Sequence, residues 1–311
     1  MVRDRTRRQV LKSTAGIGAL ALGGTGIGSA QQGAFVGETG QVKAEQSSPD
    51  ELHTVSLDGP FVQRPVVIIG PVSPLGGDPC HTRIADVTTD SFKFKLEEWD
   101  YRDQAHVKEV LHYVVLQPGA YQVGNSGVNL EVGSLASNHE SQSIEYTTDF
   151  QQKPILLSQA QTLFGSDAVV TRKGGTQTGA NVALQEQEVW DPNGRGAHTT
   201  ERVGYAAIEP GNDGFTTGAG TTNEFESHHV TNVDHNWKTV NFDQEYDRYP
   251  LFLAGMQTRI GNDPATVRRR YPSASDIQLK VEEEQSDDSE VRHAEEDLGY
   301  LLFDSESLLY V

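Results

Sequence analysis

The chain has 311 residues, of which 44 are acidic and 25 basic, and its formal net charge is −19. Such a surface repels the phosphates of nucleic acids and of anionic lipids, so neither is expected as a partner. The single cysteine, Cys80, excludes an intramolecular disulfide. We expect Cys80 to be a small buried residue, with an intermolecular bridge as the alternative.

The amino terminus has the features of a targeting segment that is removed from the mature protein, residues 1–30. Residues 6–12, with Arg7 and Arg8, match the twin-arginine export motif with valine where the motif prefers phenylalanine. The apolar stretch that follows is about 13 residues long and rich in glycine, which is too short for a membrane span. This segment predicts a protein that is secreted or held at the cell surface, without a stable membrane span after signal removal. Together with the acidic net charge, it also predicts a halophilic protein.

The rest of the chain contains one pattern three times. An aromatic residue, three others and a proline open a short apolar run at residues 61–65, 150–154 and 246–250. Thirteen residues after each proline stands an aspartate in a Gly-x-Asp turn, and eighteen after it an arginine. Each copy ends in His-x-x-Glu-x-x-x-Tyr, and the lead-in glutamates Glu38, Glu131 and Glu224 are 93 residues apart. This register indicates a triplicated domain.

The segments within each copy are typical of β-strands. Residues 92–96 and 277–281 alternate apolar and polar side chains with period two, and the run after each proline is almost continuously apolar. No window shows a sustained helical stripe. The sequence thus predicts an all-β protein of antiparallel β-sandwiches, with repeat 1 at residues 31–121, repeat 2 at 122–212 and repeat 3 at 213–311. Two arrangements remain open, beads in a row and a closed pseudo-threefold ring.

The repeated arginines have two possible roles. They can pair with acidic residues of the facing strand, namely Glu98, Glu186 and Glu283. Arginine is also the side chain that makes bidentate hydrogen bonds to carboxylates or vicinal hydroxyls of a ligand.

The repeated His-x-x-Glu pairs and Gly-x-Asp turns could form metal or ligand sites. On a strand, residues i and i+3 face opposite sides, so the His-x-x-Glu pairs do not predict a shared zinc site. We expect each histidine to close a turn or line a ligand rim, and each glutamate to pair with the strand arginine or a neighbouring copy. The Gly-x-Asp turns offer one carboxylate each, too few alone for a strong calcium site, which leaves a calcium requirement open.

Tryptophans and paired carboxylates are the remaining candidates. Trp99 and Trp190 are either sugar-stacking platforms or core residues, whereas Trp237 is expected in the core. Glu97 and Glu98 point to opposite faces of a strand and therefore cannot flank one glycosidic bond. No nucleophile elbow or phosphate loop is present. Triplication favours avidity over catalysis, so we predict no enzyme.

These motifs together resemble the H-type lectin domain. The resemblance rests on the aromatic-x-x-x-Pro opening, the apolar strand, the arginine eighteen residues after the proline and a tryptophan-containing strand near position 34 after it. It implies a six-stranded β-sandwich that trimerises and binds galactose or N-acetylgalactosamine between subunits. By position, Arg83, Arg172 and Arg268 match the sugar-binding arginine. Trp99-Asp100 matches the family's Trp-His pair with aspartate for histidine, Trp190-Asp191 is displaced by two residues, and repeat 3 has Glu283-Glu284 instead.

The leading hypothesis is a secreted, multivalent carbohydrate-binding protein that recognises glycans or glycoproteins, with no catalytic residue, metal or cofactor. The alternative is a structural or attachment protein of a cell envelope, appendage or virus-like particle. The candidate ligand-binding residues are Asp78, Arg83, Trp99, Asp100, His106, Asp167, Arg172, Trp190, Asp191, His198, Asp263, Arg268 and His293.

Overall fold

The computed structural model describes residues 33–188, 197–286 and 291–311. Within these ranges the chain is all-β and contains no α-helix, which confirms the predicted fold class. Every pairing between named strands is antiparallel. No helix long and apolar enough to cross a membrane occurs in the part of the chain that is described. The predicted export signal at residues 1–30 lies outside it.

Twenty-one strands alternate with turns along the described chain. Repeat 1 contains β1 (Phe35–Gln46), β2 (His53–Ser56), β3 (Val66–Ile69), β4 (Cys80–Val87), β5 (Ser91–Glu98) and β6 (His106–Leu116). Repeat 2 follows with β7 (Gly119–Val123), β8 (Val128–Ser137), β9 (Gln142–Glu145), β10 (Ile155–Ala160), β11 (Val169–Gly175), β12 (Gly179–Glu186) and β13 (Glu201–Ile208). Repeat 3 comprises β14 (Gly211–Thr217), β15 (Thr222–Val233), β16 (Lys238–Asn241), β17 (Leu251–Met256), β18 (Ala265–Arg270), β19 (Asp276–Glu283) and β20 (Glu296–Phe303), and β21 (Ser307–Tyr310) ends the chain.

Each repeat folds into a sandwich of two sheets. One sheet of each sandwich, called the inner sheet, faces the centre of the molecule, and the other is called the outer sheet. In repeat 2 the inner sheet has the order β10-β13-β8-β7 and the outer sheet the order β11-β12-β9. The outer sheets of repeats 1 and 3 are β2-β5-β4 and β16-β19-β18. Their inner sheets are joined, through β14 and β21, into one eight-stranded sheet. Each sandwich therefore has the six strands that the resemblance implies and a seventh at the edge of its inner sheet.

The seventh strand shows how the chain closes on itself. Strand β7 pairs with β8 and β14 pairs with β15, with Ala120 opposite Glu131 and Gly214 opposite Glu224. In repeat 1 the same place is filled by the carboxy-terminal strand β21, which puts Leu308 opposite Glu38. The predicted boundaries at 121/122 and 212/213 fall inside β7 and β14, so as hydrogen-bonded units the repeats begin a few residues earlier.

The apolar strands after each proline are buried on both faces, which explains their continuous hydrophobicity. In β3, Val67 and Ile69 belong to the core of sandwich 1, whereas Val66 and Ile68 belong to a central core. Strands β10 and β17 divide their side chains in the same way. The central core contains side chains from all three repeats, together with Leu309 of the last strand. Three sandwich cores thus surround one shared core, in a closed pseudo-threefold ring.

Side chains that bond to the backbone of a neighbouring repeat hold the ring together. Gln161 in repeat 2 brackets Val67 of repeat 1, accepting from its N–H and donating to its carbonyl, both at 2.8 Å. Gln257 in repeat 3 does the same at Leu156 of repeat 2. At the third junction His112 Nδ1 accepts a hydrogen bond from the N–H of Phe252 at 2.8 Å. Each contact satisfies a buried backbone group that would otherwise be costly.

Candidate functional site at the junctions between repeats

The repeated arginines lie at the junctions between repeats, on the outer-sheet strands β4, β11 and β18. Each guanidinium crosses to the glutamate of the His-x-x-Glu motif in a neighbouring repeat. The pairs are Arg83 with Glu201 at 2.8 Å, Arg172 with Glu296 at 3.1 Å and Arg268 with Glu109 at 3.7 Å. All three arginines are at most 2% exposed. The pairs run from repeat 1 to 2, from 2 to 3 and from 3 back to 1, so the ring of ion pairs is closed.

The glutamate at each junction is held as a carboxylate by several donors. Glu296 Oε1 accepts hydrogen bonds from the N–H groups of Ile260 and Gly261, and Thr258 donates its hydroxyl to the other oxygen. Burial alone would raise the pKa of Glu296, but these bonds, a bond from His293 and the charge of Arg172 lower it to about 2. The pKa values of the equivalent Glu109 and Glu201 are also lowered.

Each histidine of the motif bridges two carboxylates. His293 Nδ1 lies 3.0 Å from Glu283 and its Nε2 lies 3.3 Å from Glu296. Burial would lower the pKa of this imidazole, but the two carboxylates outweigh it and raise the pKa. His198 and His106 have the same arrangement, with Glu186 and Glu98 on the Nδ1 side. The result at every junction is a buried chain of glutamate, histidine, glutamate and arginine, in which acids and bases alternate.

The glycine of each Gly-x-Asp turn is required by this network. A Cβ atom on Gly76, Gly165 or Gly261 would lie 2.4–2.5 Å from the imidazole of the junction histidine. The N–H of the same glycine donates to the junction glutamate, as Gly261 does to Glu296 at 3.0 Å. The turn motif of the sequence is therefore the part of the junction on which the histidine packs.

The structure confirms that the arginines pair with acids, but it corrects the partners. The expected partners Glu98, Glu186 and Glu283 bond to the histidines instead. On the facing strand, Arg172 donates to Gln185 at 3.0 Å and Arg268 to Glu282 at 2.7 Å.

The three junctions are not identical. At the junction of repeats 3 and 1, the buried Cys80 lies 3.3 Å from His106 Nε2. Burial raises the pKa of the Cys80 thiol. The expectation of a small buried residue at this position is thus confirmed.

Several predicted ligand contacts need correction because their side chains are sealed inside the protein. The ring nitrogens of His106, His198 and His293 are occupied by carboxylates, and the side chains are at most 1% exposed. Trp99 is fully buried and packs against Ala168 and Val170 of repeat 2, so it offers no open face for a sugar.

The remaining tryptophans have other surroundings. Trp237, expected in the core, is half-buried, with the guanidinium of Arg270 4.3 Å from its ring centroid and the ammonium of Lys280 at 5.2 Å. Trp190 and Asp191 lie outside the described residues.

The aspartates are the predicted site residues that reach the surface. Asp100 and Asp167 are exposed, and Asp78 and Asp263 are half-buried. Burial raises the pKa of Asp100, and the negative charge of Asp167 in repeat 2 raises it further. Asp78 forms an ion pair with Arg102 at 2.8 Å. Ligand binding by these four residues stays a prediction.

Grooves open at two of the junctions. The groove between repeats 2 and 3 has a volume of 830 Å³, and its lining residues include His139, Arg172, Arg259 and Asn262. The groove between repeats 3 and 1 has a volume of 300 Å³ and is lined in part by Arg102, Lys280 and Glu283. Arg172 borders the larger groove although its side chain is fully buried by its partners.

One cluster, which runs from the buried Glu226 to the exposed Asp243, has the residue types of a cation site, and no sequence motif predicts it. Glu226, His228 and Asp243 bring their ligand atoms within 4.8 Å of one another. His228 Nε2 already lies 3.0 Å from Asp243 and 3.0 Å from the side-chain oxygen of Asn212. The acids come from separate segments, β15 and the turn after β16, so no local spacing in the sequence signals the cluster.

The fold and its junctions define a single-chain, pseudo-threefold assembly of β-sandwiches. Neither a family model nor a solved structure matches the chain. The chain is 30% identical over 315 residues to Halomucin from Haloquadratum walsbyi. That match covers 95% of this chain and 3% of Halomucin, so the chain spans only a small part of the length of this relative.

Proposed function

We propose that this chain is a preassembled, three-lobed module of an extracellular or cell-surface protein. The similarity to Halomucin along 95% of the chain supports a surface or extracellular glycoprotein-like role. The twin-arginine motif at Arg7 and Arg8 and the net charge of −19 agree with an exported protein of a saline environment. The twin-arginine route carries folded cargo, which suits a ring that is held together by buried contacts.

Within that role, we propose a structural or attachment function, and one observation carries it. The three repeated arginines form ion pairs with glutamates of neighbouring repeats. Among the repeated residues, they are the best suited to bind a ligand. Their chemistry therefore stabilises the ring, and the outer surface is left to interact with other proteins or with the cell envelope. The proposal includes no catalytic step.

Export and surface location can be tested with an Arg7→Lys/Arg8→Lys variant. The parent chain, expressed in a halophilic host and detected by antibody, should be found in the medium or be sensitive to protease on intact cells. The variant should remain inside, because the twin-arginine pair is the export signal. An Arg3→Lys/Arg5→Lys variant, which leaves the pair intact, is the matched control. Cytoplasmic retention of the parent would contradict the proposal.

Glycan recognition is the second candidate function, and the grooves favour it. The H-type lectin resemblance implies sugar binding between subunits, and both grooves lie between repeats. Glycan-array binding should be weakened by His139→Ala or Asn262→Ala in the larger groove, whereas Lys108→Ala, at an exposed residue that lines neither groove, serves as the control. An array without signal, combined with stable co-purification of an envelope component, would leave the attachment function alone.

A further inference from the structure

A small pocket lies where the three repeats meet, and Lys173 borders both this pocket and the larger junction groove. Equivalent positions of all three repeats line it, among them Gly70, Gln159 and Gly255, which each stand five residues after the opening proline. The pocket therefore lies on the pseudo-threefold axis, and its volume is 120 Å³. This space is ample for an ion or for several waters.

The lining of this axial pocket is unusual for so acidic a protein. None of its described lining residues is Asp or Glu, although Lys173 and Arg83 are both among them. Lys173 lies on β11 and is 5% exposed. Its Nζ approaches Gly255 of repeat 3 so closely that a Cβ there would be 3.2 Å away, which places the ammonium at the pocket wall.

Lys173 differs from the other buried cations because no acidic group acts on it. Among the described residues, Arg83, Arg172 and Arg268 have carboxylate partners and Lys95 pairs with Glu97. Arg269 donates to the carbonyls of Pro71 and Val110. For Lys173 the influences are burial and the like charge of Arg172, and together they lower its pKa to about 7. A buried ammonium without a counter-charge is costly, so a mobile anion in the pocket would relieve that cost.

Other donors at the pocket also lack partners. Nε and Nη1 of Arg83 and the hydroxyl of Thr266 are buried without a hydrogen-bond acceptor among the described residues. Both residues line the pocket. These unpaired N–H and O–H groups belong to residues that line the same pocket as Lys173, and such donors are what a small anion needs.

We propose that the axial pocket binds a small inorganic anion such as chloride, with Lys173 as its main partner and Arg83 and Thr266 as further donors. The anion supplies the counter-charge that the chain itself does not provide at this position. Its binding couples the stability of the ring to the salt around it, because a ligand that binds only the folded state stabilises that state by mass action.

The first test compares chloride with gluconate, an anion too bulky for the pocket, at constant sodium concentration and pH. Raising chloride from 0.1 to 2 M should increase the melting temperature of the full chain by about 2–5 °C relative to gluconate. In Lys173→Met the difference should vanish, and the variant should be at least as stable as the parent in gluconate, because it removes a lone buried charge. Lys108→Met, at an exposed site, should retain the parent's chloride response.

The second test locates the ion. Crystals of the full chain soaked in sodium bromide should show anomalous density on the axis next to Lys173, and crystals of Lys173→Met should not. Water alone in the parent pocket at molar bromide would overturn the proposal. So would an equal chloride response in the parent and Lys173→Met, since that result would be a general salt effect.

Discussion

Replacing Arg172 with methionine tests whether the junction networks hold the ring together. Arg172 donates to Gln185 at 3.0 Å, to the Gly261 carbonyl at 2.9 Å and to Glu296 at 3.1 Å, and both charged side chains are fully buried. The substitution keeps the aliphatic stem and leaves the carboxylate of Glu296 without its guanidinium. Breaking a buried ion pair in this way costs about 3–5 kcal/mol.

The assay is unfolding of the purified full chain by heat and by guanidinium chloride. We expect the melting temperature of Arg172→Met to fall by about 6–15 °C, at about 2–3 °C per kcal/mol for a chain of this size. Raising the salt concentration should barely change this difference, because a buried pair is screened much less than an exposed one.

The control is Lys108→Met, which removes an exposed pair between Lys108 and Glu45 with 59% of each side chain in solvent. Its cost should stay below about 1 kcal/mol. A loss of less than about 1 kcal/mol for Arg172→Met as well would refute the reasoning, because the network would then be incidental to stability.

Three further predictions follow from the same structure. Stability should be greatest between about pH 4.5 and 6.5, which melting temperatures from pH 2 to 10 would show. Because the pKa of Glu296 is lowered in the folded state, its contribution to stability is lost as the pH falls from about 4.5 towards 2. Because the pKa values of the junction histidines are raised, their contribution is lost as the pH rises above about 6.5. A flat profile would contradict this. Leu309→Ala should lower the free energy of unfolding by about 2–5 kcal/mol, measured with denaturant, because Leu309 is fully buried in the central core. Leu308 is half-buried, so Leu308→Ala should lower it clearly less. Equal losses would argue against the packing of β21. A circular permutant that joins Val311 to Gly33 through a short linker and opens the chain at Asn125 should fold, because β21 fills the same place in sandwich 1 as β7 does in sandwich 2. Folding would be judged by circular dichroism and a single melting transition. An unfolded permutant would show that the two strands are not equivalent.

The repeat pattern predicted the three sandwiches because it marks points where each copy needs the same residue. The Gly-x-Asp turn recurs because the junction histidine packs on its glycine, and the arginine recurs because a neighbouring glutamate needs a cation. What the pattern does not contain is the identity of the neighbour. Arg83 and Glu201 are 118 residues apart, so only the closed ring reveals that they pair.

Other features escaped prediction because the repeats have diverged or because no motif marks them. In repeats 1 and 2, Glu38 and Glu131 accept backbone N–H groups of the turn before the opening aromatic. In repeat 3 this role passes to Glu226, two residues after the expected Glu224, where the period of a strand keeps the side chain on the same face. A lysine stands at this position only in repeat 2, since the equivalent residues are Ile84 and the buried Arg269, and spacing alone could not single Lys173 out.

The strand that completes the first sandwich also brings both ends of the described chain to one place. The N–H of Val311 donates to the carbonyl of Ala34 at 3.0 Å. Strands β1 and β21 are antiparallel and both ends of the described chain lie at the same end of this pair, so a force that pulls the ends apart breaks the hydrogen bonds between the strands one after another. Under tension the module would therefore yield first at this seam, while the sandwiches behind it remain folded.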